Sequence, residues 1–171
     1  HNNNLEVIWT SLPAIVMAGL VFSGLRVWND VTSKAPANAE NIEIMGKQFA
    51  WTVRYPGADN KFGKNNFKLV DDGGGNPLGV DFSDENTFDD FSNTSELHIP
   101  KGKPVLLKIR ARDVLHSVFI PHMRVKMDAV PGMPTKFWFT PEKTTVEMRT
   151  ALNNPKFNYE IACAEICGRS H

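Results

Sequence analysis

From Val7 to Leu25 the chain runs VIWTSLPAIVMAGLVFSGL, nineteen residues without a charge and with Thr10, Ser11 and Ser23 as the hydroxyl side chains. As a helix rising ~1.5 Å per residue, this run spans ~28 Å, close to the ~30 Å hydrocarbon core of a bilayer. Trp9 and Trp28 near its ends suit the headgroup layer, Glu6 and Arg26 bracket it, and Pro13 is tolerated in a membrane helix. A buried core helix fits the same run, and so does an uncleaved signal peptide, although His1-Asn2-Asn3-Asn4 supplies no basic leader. We read residues 1–28 as a transmembrane helix and residues 29–41, polar, small and Pro-containing, as a linker. Beginning on His1 rather than Met, the sequence is expected to be part of a longer product.

Beyond residue 41 the apolar period falls from a continuous run to two. Phe49, Trp51, Val53 and Tyr55 alternate with Ala50, Thr52 and Arg54, and Val105, Leu107, Ile109 and Ala111 form a second set. Phe137 with Phe139, Val146 with Met148, and Phe157, Tyr159 and Ile161 give three more. Turn chemistry closes these runs at Pro56-Gly57, Lys101-Gly102-Lys103-Pro104, Pro131-Gly132, Pro141 and Asn153-Asn154-Pro155. Short alternating strands without a strong amphipathic helix predict an all-β antiparallel sandwich over residues 42–171, tethered by the N-terminal helix. Residues 57–95 break the rhythm with Asp71-Asp72-Gly73-Gly74-Gly75 and a run of acids from Asp81 to Asp90. This segment reads as a long solvated loop, and its acids lack the spacing of a calcium-binding EF-hand.

Composition adds little until it is divided. The 171 residues carry 19 basic and 19 acidic side chains and two cysteines, which excludes a disulfide scaffold and argues against a nucleic-acid partner. Yet residues 57–100 hold nine acids and three bases, whereas residues 101–171 hold six acids and twelve bases. The neutral total is an acidic segment beside a basic one.

The densest chemistry lies in Cys163-Ala164-Glu165-Ile166-Cys167-Gly168-Arg169-Ser170-His171, directly after the expected strand ending at Ile161. Thiolate and imidazole ligands point to copper or zinc rather than magnesium or calcium. His116, at the end of the strand through Val105 to Ala111, is the best-placed further ligand, with Asp113 near enough in sequence to orient it. A local Cys163–Cys167 disulfide, a structural zinc site and a metal pair sharing both thiolates all remain open on spacing alone. His98 and His122 read as surface or structural histidines, and Met123, Met127 and Met133 as packing residues.

Several motifs together resemble subunit II of haem-copper cytochrome c oxidases. They are Asn4-Leu5-Glu6-Val7-Ile8-Trp9-Thr10 with Pro13, Gly46-Lys47-Gln48-Phe49-Ala50-Trp51 with Tyr55-Pro56, and Asp113-Val114-Leu115-His116-Ser117. Lys126-Met127-Asp128-Ala129-Val130-Pro131-Gly132 and the cysteine loop with His171 complete the set, in the family's order over nearly the whole chain. The resemblance implies a cupredoxin-like sandwich holding the dinuclear copper centre CuA, with Cys163 and Cys167 bridging two copper ions and His116 and His171 each capping one. It makes the Glu165 carbonyl a weak ligand and turns the Glu165 carboxylate toward a magnesium or manganese ion at the interface with subunit I.

By the same resemblance, residues 5–28 match the second helix of a hairpin, and an axial Met and closing strand are expected beyond His171. The family's usual tryptophan after the Gln, where electrons enter from cytochrome c, is Phe49 here, and Trp51 matches a second family aromatic. The implied function is electron acceptance from cytochrome c or a c-type haem domain and delivery to haem in subunit I. The implied setting is a bacterial cytoplasmic membrane with the soluble domain outside, among other oxidase subunits and within reach of a respiratory supercomplex. A copper-free quinol oxidase subunit and a zinc- or disulfide-stabilised binding domain are the alternatives. From the charge distribution we expect Asp84, Glu85, Asp89 and Asp90 to help dock a basic donor.

Overall fold

The computed structural model describes residues 2–94 and 96–168. It divides into two units, residues 1–34 and 35–171. In the first, the apolar run lies inside helix α1, Asn3–Thr32, which starts where the Asn2 side chain accepts a hydrogen bond from the Leu5 N–H and continues through Pro13. Its large apolar side chains, among the described residues, are at least half exposed, with Ile8, Ile15, Phe22 and Trp28 at 59% or more. An apolar surface on every side matches a hydrocarbon environment rather than one protein face. The helix outruns the expected boundary at residue 28, so the connector before the first strand shortens to residues 33–39.

The second unit is a β-sandwich. Its strands are β1 (Glu40–Lys47), β2 (Ala50–Tyr55), β3 (Phe91–Asn93), β4 (Val105–Ala111), β5 (His116–Ile120), β6 (Val125–Ala129), β7 (Thr135–Phe139) and β8 (Ala162–Cys163). A five-stranded sheet runs β3-β2-β1-β4-β7 and a three-stranded sheet runs β6-β5-β8. Between them Ile42, Ile44, Val53, Val105, Leu107, Ile109, Val118, Ile120 and Val125 form the core, each at most 3% exposed. The alternation on β4 is the period-two pattern expected of a strand with one face in the core.

Three features correct the sequence expectation. The sandwich is not wholly antiparallel: β1 and β4 pair parallel, from Glu40 opposite Val105 to Gly46 opposite Ala111. Val146 and Met148 lie on a helix, α2 (Thr145–Ala151), because Thr144 and Glu147 close a capping box whose Thr-x-x-Glu spacing outweighs a two-residue alternation. The run through Phe157, Tyr159 and Ile161 is not a strand, and β8 is only Ala162 and Cys163 after it; Arg149 instead holds the Phe157 carbonyl and the Asn158 side chain.

The segment 57–95 is also more than a solvated loop. β1 and β2 bury both faces over most of their length, so Glu43, Met45, Thr52 and Arg54 need cover on the side away from the core. The segment supplies it. Leu78 and Val80 pack with Met45, and Arg54 pairs with Glu43 and Asp90 and donates to the Gly63 carbonyl. Bridges at Asn65–Val80 and Asp71–Asn76, with 3-10 turns at Gly57–Asp59, Phe67–Leu69 and Glu85–Thr87, give it internal order.

Candidate metal centre

Parallel pairing of β1 with β4 ends both strands at one level, and there the functional side chains gather. His116 begins β5 and is 1% exposed, while Cys163 ends β8, whose register sets it opposite Val118. Cys167 follows on the loop and is buried. One ligand atom from each of His116, Cys163 and Cys167 lies within 4.8 Å of the others. The sulfurs are 3.5 Å apart, far beyond a disulfide's ~2.05 Å. Two sulfurs at ~2.3 Å from a common ion can stand no more than ~4.6 Å apart, so this spacing suits shared ligation. The donor set is soft to borderline and fits copper or zinc.

The orientation of His116 follows from Asp113. Burial alone would raise the Asp113 carboxyl, but hydrogen bonds from the Gln48 N–H, from His116 and from the Val114 N–H hold it at about 2. An ionised carboxylate only accepts, so His116 Nε2, 2.8 Å from Asp113 Oδ1, carries the proton. In the neutral ring Nδ1 then keeps its lone pair, and it faces Cys163 Sγ at 3.8 Å. An imidazole that binds a metal through Nδ1 needs this tautomer. The thiols differ as well. Burial would raise Cys163, but the Ser117 and Glu165 backbone, His116 and Cys167 bring it down, whereas burial and the neighbouring Cys163 sulfur push Cys167 up.

Gln48, in the turn between β1 and β2, ties the ligand loops together: its N–H donates to Asp113 Oδ2 at 2.7 Å and its side-chain amide to the Cys167 carbonyl at 2.6 Å. Gly46 makes room for the centre. A Cβ there would stand 2.9 Å from the Trp51 ring and 3.0 Å from His116 Cγ. Asp128 accepts from Ser117 Oγ at 2.8 Å, locking β6 to β5 beside His116. Sequence reasoning assigned none of these three residues a role, although Gly46 and Gln48 stand together in one motif and Asp128 in another.

The remaining predicted residues fall as follows. The Glu165 carbonyl lies 3.5 Å from Cys163 Sγ, and its side chain is exposed. His171 lies outside the described residues. Phe49 is 51% exposed with its ring over Gly168, where an added Cβ would clash at 2.0 Å. Trp51 is buried and meets the His116 ring edge-on with centroids 5.8 Å apart, so of the two aromatics only Phe49 reaches the surface. Among the acids expected to dock a donor, Asp84 accepts from the Lys64 and Asn86 N–H groups, Asp89 accepts from the Ala58 and Asp59 N–H groups, and Glu85 is exposed. Asp90 does not belong with them, because its side chain is 5% exposed and neutralised against Arg54.

Residues 41–171 match the family model described as cytochrome c oxidase subunit II, periplasmic domain. The alternative cytochrome c oxidase subunit 2 of Bradyrhizobium diazoefficiens is 36% identical over all of this chain and 57% of its own length. The cytochrome c oxidase subunit 2 of Cereibacter sphaeroides is 26% identical over all of this chain and 54% of its length. The chain thus spans about half the length of these curated relatives. A crystal structure of the periplasmic domain of cytochrome oxidase subunit II from Bradyrhizobium japonicum is 26% identical, with a TM-score of 0.48 over 80% of this chain and 79% of that one. With the family match covering the β-sandwich and its ligand loops, this chain belongs to the cytochrome c oxidase subunit II family.

Proposed function

We propose that this chain is the electron-accepting subunit of a respiratory cytochrome c oxidase, receiving electrons from a cytochrome c or a c-type haem domain and passing them to haem in subunit I. Oxygen reduction and proton pumping belong to that partner. The observation that carries this reading is the convergence of His116, Cys163 and Cys167 within 4.8 Å in a member of this family.

Bound there, a pair of copper ions would accept and release one electron at a time. Cys163, Cys167, His116 and His171 would hold the pair, with the Glu165 carbonyl as a further, weak ligand. Asp113 and Gln48 hold the ligand loops in fixed strand ends, so little of the protein must rearrange as charge changes. Phe49, exposed over the metal loop, is the surface aromatic through which a donor couples, and Trp51 is the buried ring beside His116. Around the centre Val114, Leu115 and Ile166 are also exposed, Ile166 at 99%. Apolar tips of this kind favour a contact surface. We assign the Ile166 and Glu165 tip to subunit I, where the Glu165 carboxylate would hold magnesium or manganese. Asp84, Glu85 and Asp89 contribute a field that steers a basic donor.

Helix α1 anchors the β-domain, which the family description makes periplasmic, to a bacterial cytoplasmic membrane beside lipid, other oxidase subunits and a wider respiratory assembly. A disulfide-stabilised domain is disfavoured by sulfurs 3.5 Å apart, and a copper-free quinol oxidase subunit by the presence of both cysteines. Copper quantitation with electron paramagnetic resonance tests the reading. Two copper ions per chain sharing one electron are expected; one copper, or a mononuclear signal, overturns the dinuclear assignment.

A further inference from the structure

We infer that Asp72, in the acidic segment, is a positioning residue for the metal centre. The strands that frame the centre create the need for it. Because β1 and β4 run parallel and end level, Gly46 lies opposite Ala111, and the Arg112 N–H donates to the Gly46 carbonyl at 2.9 Å. The residue after each of these is a cation, Lys47 at the end of β1 and Arg112 just past the end of β4. Two like charges therefore leave neighbouring strand ends one residue before Gln48 and Asp113, the pair whose hydrogen bonds fix the Cys167 carbonyl and the His116 ring.

Asp72 Oδ1 meets both cations. It pairs with the Arg112 guanidinium and stands 3.4 Å from Lys47 Nζ. One carboxylate thus converts a repulsion at the strand ends into a three-membered network. Its placement is built in: Asp71 and Asn76 exchange backbone hydrogen bonds of 3.0 and 2.7 Å, and the Gly74 N–H donates to Asp71 Oδ1 at 2.9 Å, closing the turn that presents Asp72. Each ion pair is partly solvated, with Lys47 and Arg112 about one-third exposed and Asp72 half exposed. The effect is accordingly modest and falls with salt.

This inference concerns how the centre is held, and where it speaks of copper it rests on the proposed function. Its primary test needs no metal. In the full chain in detergent, Asp72→Asn is expected to speed amide exchange of Gln48, whose N–H is bonded to Asp113, roughly three- to tenfold, leaving exchange at Val118 in the core unchanged. Asp72→Glu restores protection, and about 1 M salt brings the wild-type rate toward that of Asp72→Asn. In copper-loaded protein the same substitution speeds copper loss to a chelator by a similar factor and shifts the paramagnetic spectrum. Unchanged Gln48 exchange in Asp72→Asn overturns the inference. Failure of the wild-type chain to hold copper overturns the proposed function instead and leaves the exchange result to judge Asp72.

Discussion

At the scale of single residues, the centre depends on two that ligate nothing. Gly46 is needed because both Trp51 and His116 occupy the space of a side chain; Gly46→Ala must displace one of the rings. The expected cost is about 1–3 kcal/mol of stability, read from urea unfolding of the metal-free chain, together with a changed copper spectrum. Equal stability and an unchanged spectrum would contradict the close contact. Asp113 sets the His116 tautomer, so Asp113→Asn is expected to weaken metal retention roughly 10- to 100-fold, measured by chelator competition. The acid side follows with a definite sign. Asp113 titrates at about 2 rather than its ordinary 3.8, so it stabilises the folded metal-free protein above pH ~4, and that contribution fades as pH falls toward 2. The Asn variant should lose this part of the pH profile in thermal unfolding.

Among the elements, the acidic segment matters most because it is a third layer over β1 and β2. Its anchor is a buried ion pair. Arg54 is 1% exposed on its side chain and Asp90 5%, and removal of the carboxylate leaves the buried guanidinium only the Gly63 carbonyl and a Glu43 that it shares with Arg110. Asp90→Ala should cost about 3–5 kcal/mol, whereas Glu85→Ala, an exposed side chain on the turn Glu85–Thr87, should stay within about 0.5 kcal/mol. Thermal unfolding of the two variants checks the contrast; similar losses would mean that the segment is not fastened at Arg54. The acids around it serve chiefly to accept backbone N–H groups, as Asp84 does from Lys64 and Asp89 from Ala58. The Lys64 N–H in particular holds the Asp84 carboxyl below its ordinary value, so fastening the segment is compatible with the proposed steering of a donor.

For the whole molecule, the two ligand loops and the Gln48–Phe49 turn converge at one end of the sandwich, and the surface there is apolar while the acidic segment lies along the outer face of the larger sheet. On the proposed function, donor association should therefore have two separable parts. Truncating the exposed ring in Phe49→Ala is expected to weaken donor binding about tenfold with the copper spectrum preserved, as loss of a central aromatic anchor does. Neutralising Asp84, Glu85 and Asp89 should instead slow association at low salt and leave little effect at high salt. Stopped-flow reduction across a salt series distinguishes the two; a Phe49→Ala protein reduced at the wild-type rate would place electron acceptance elsewhere.

By itself the sequence determined the membrane-length apolar run, the period-two core of β2, β4 and β7, and the choice of His116, Cys163 and Cys167 as candidate ligands, which the structure brings together. These are local properties, written in residue type and spacing. It also held signals that competed: Thr144 and Glu147 capped a helix where Val146 and Met148 suggested a strand, since a capping box satisfies backbone donors that a short alternation does not. Only the tertiary structure decided that β1 runs parallel to β4, that Asp90 is spent on Arg54, and that Asp72 reaches Lys47 and Arg112. Those are long-range pairings between segments 25 to 65 positions apart, with no periodicity to announce them. Which carboxylate meets which cation depends on how the acidic segment folds over the sheet, and that path is fixed by packing against Met45 and Arg54 rather than by any local preference.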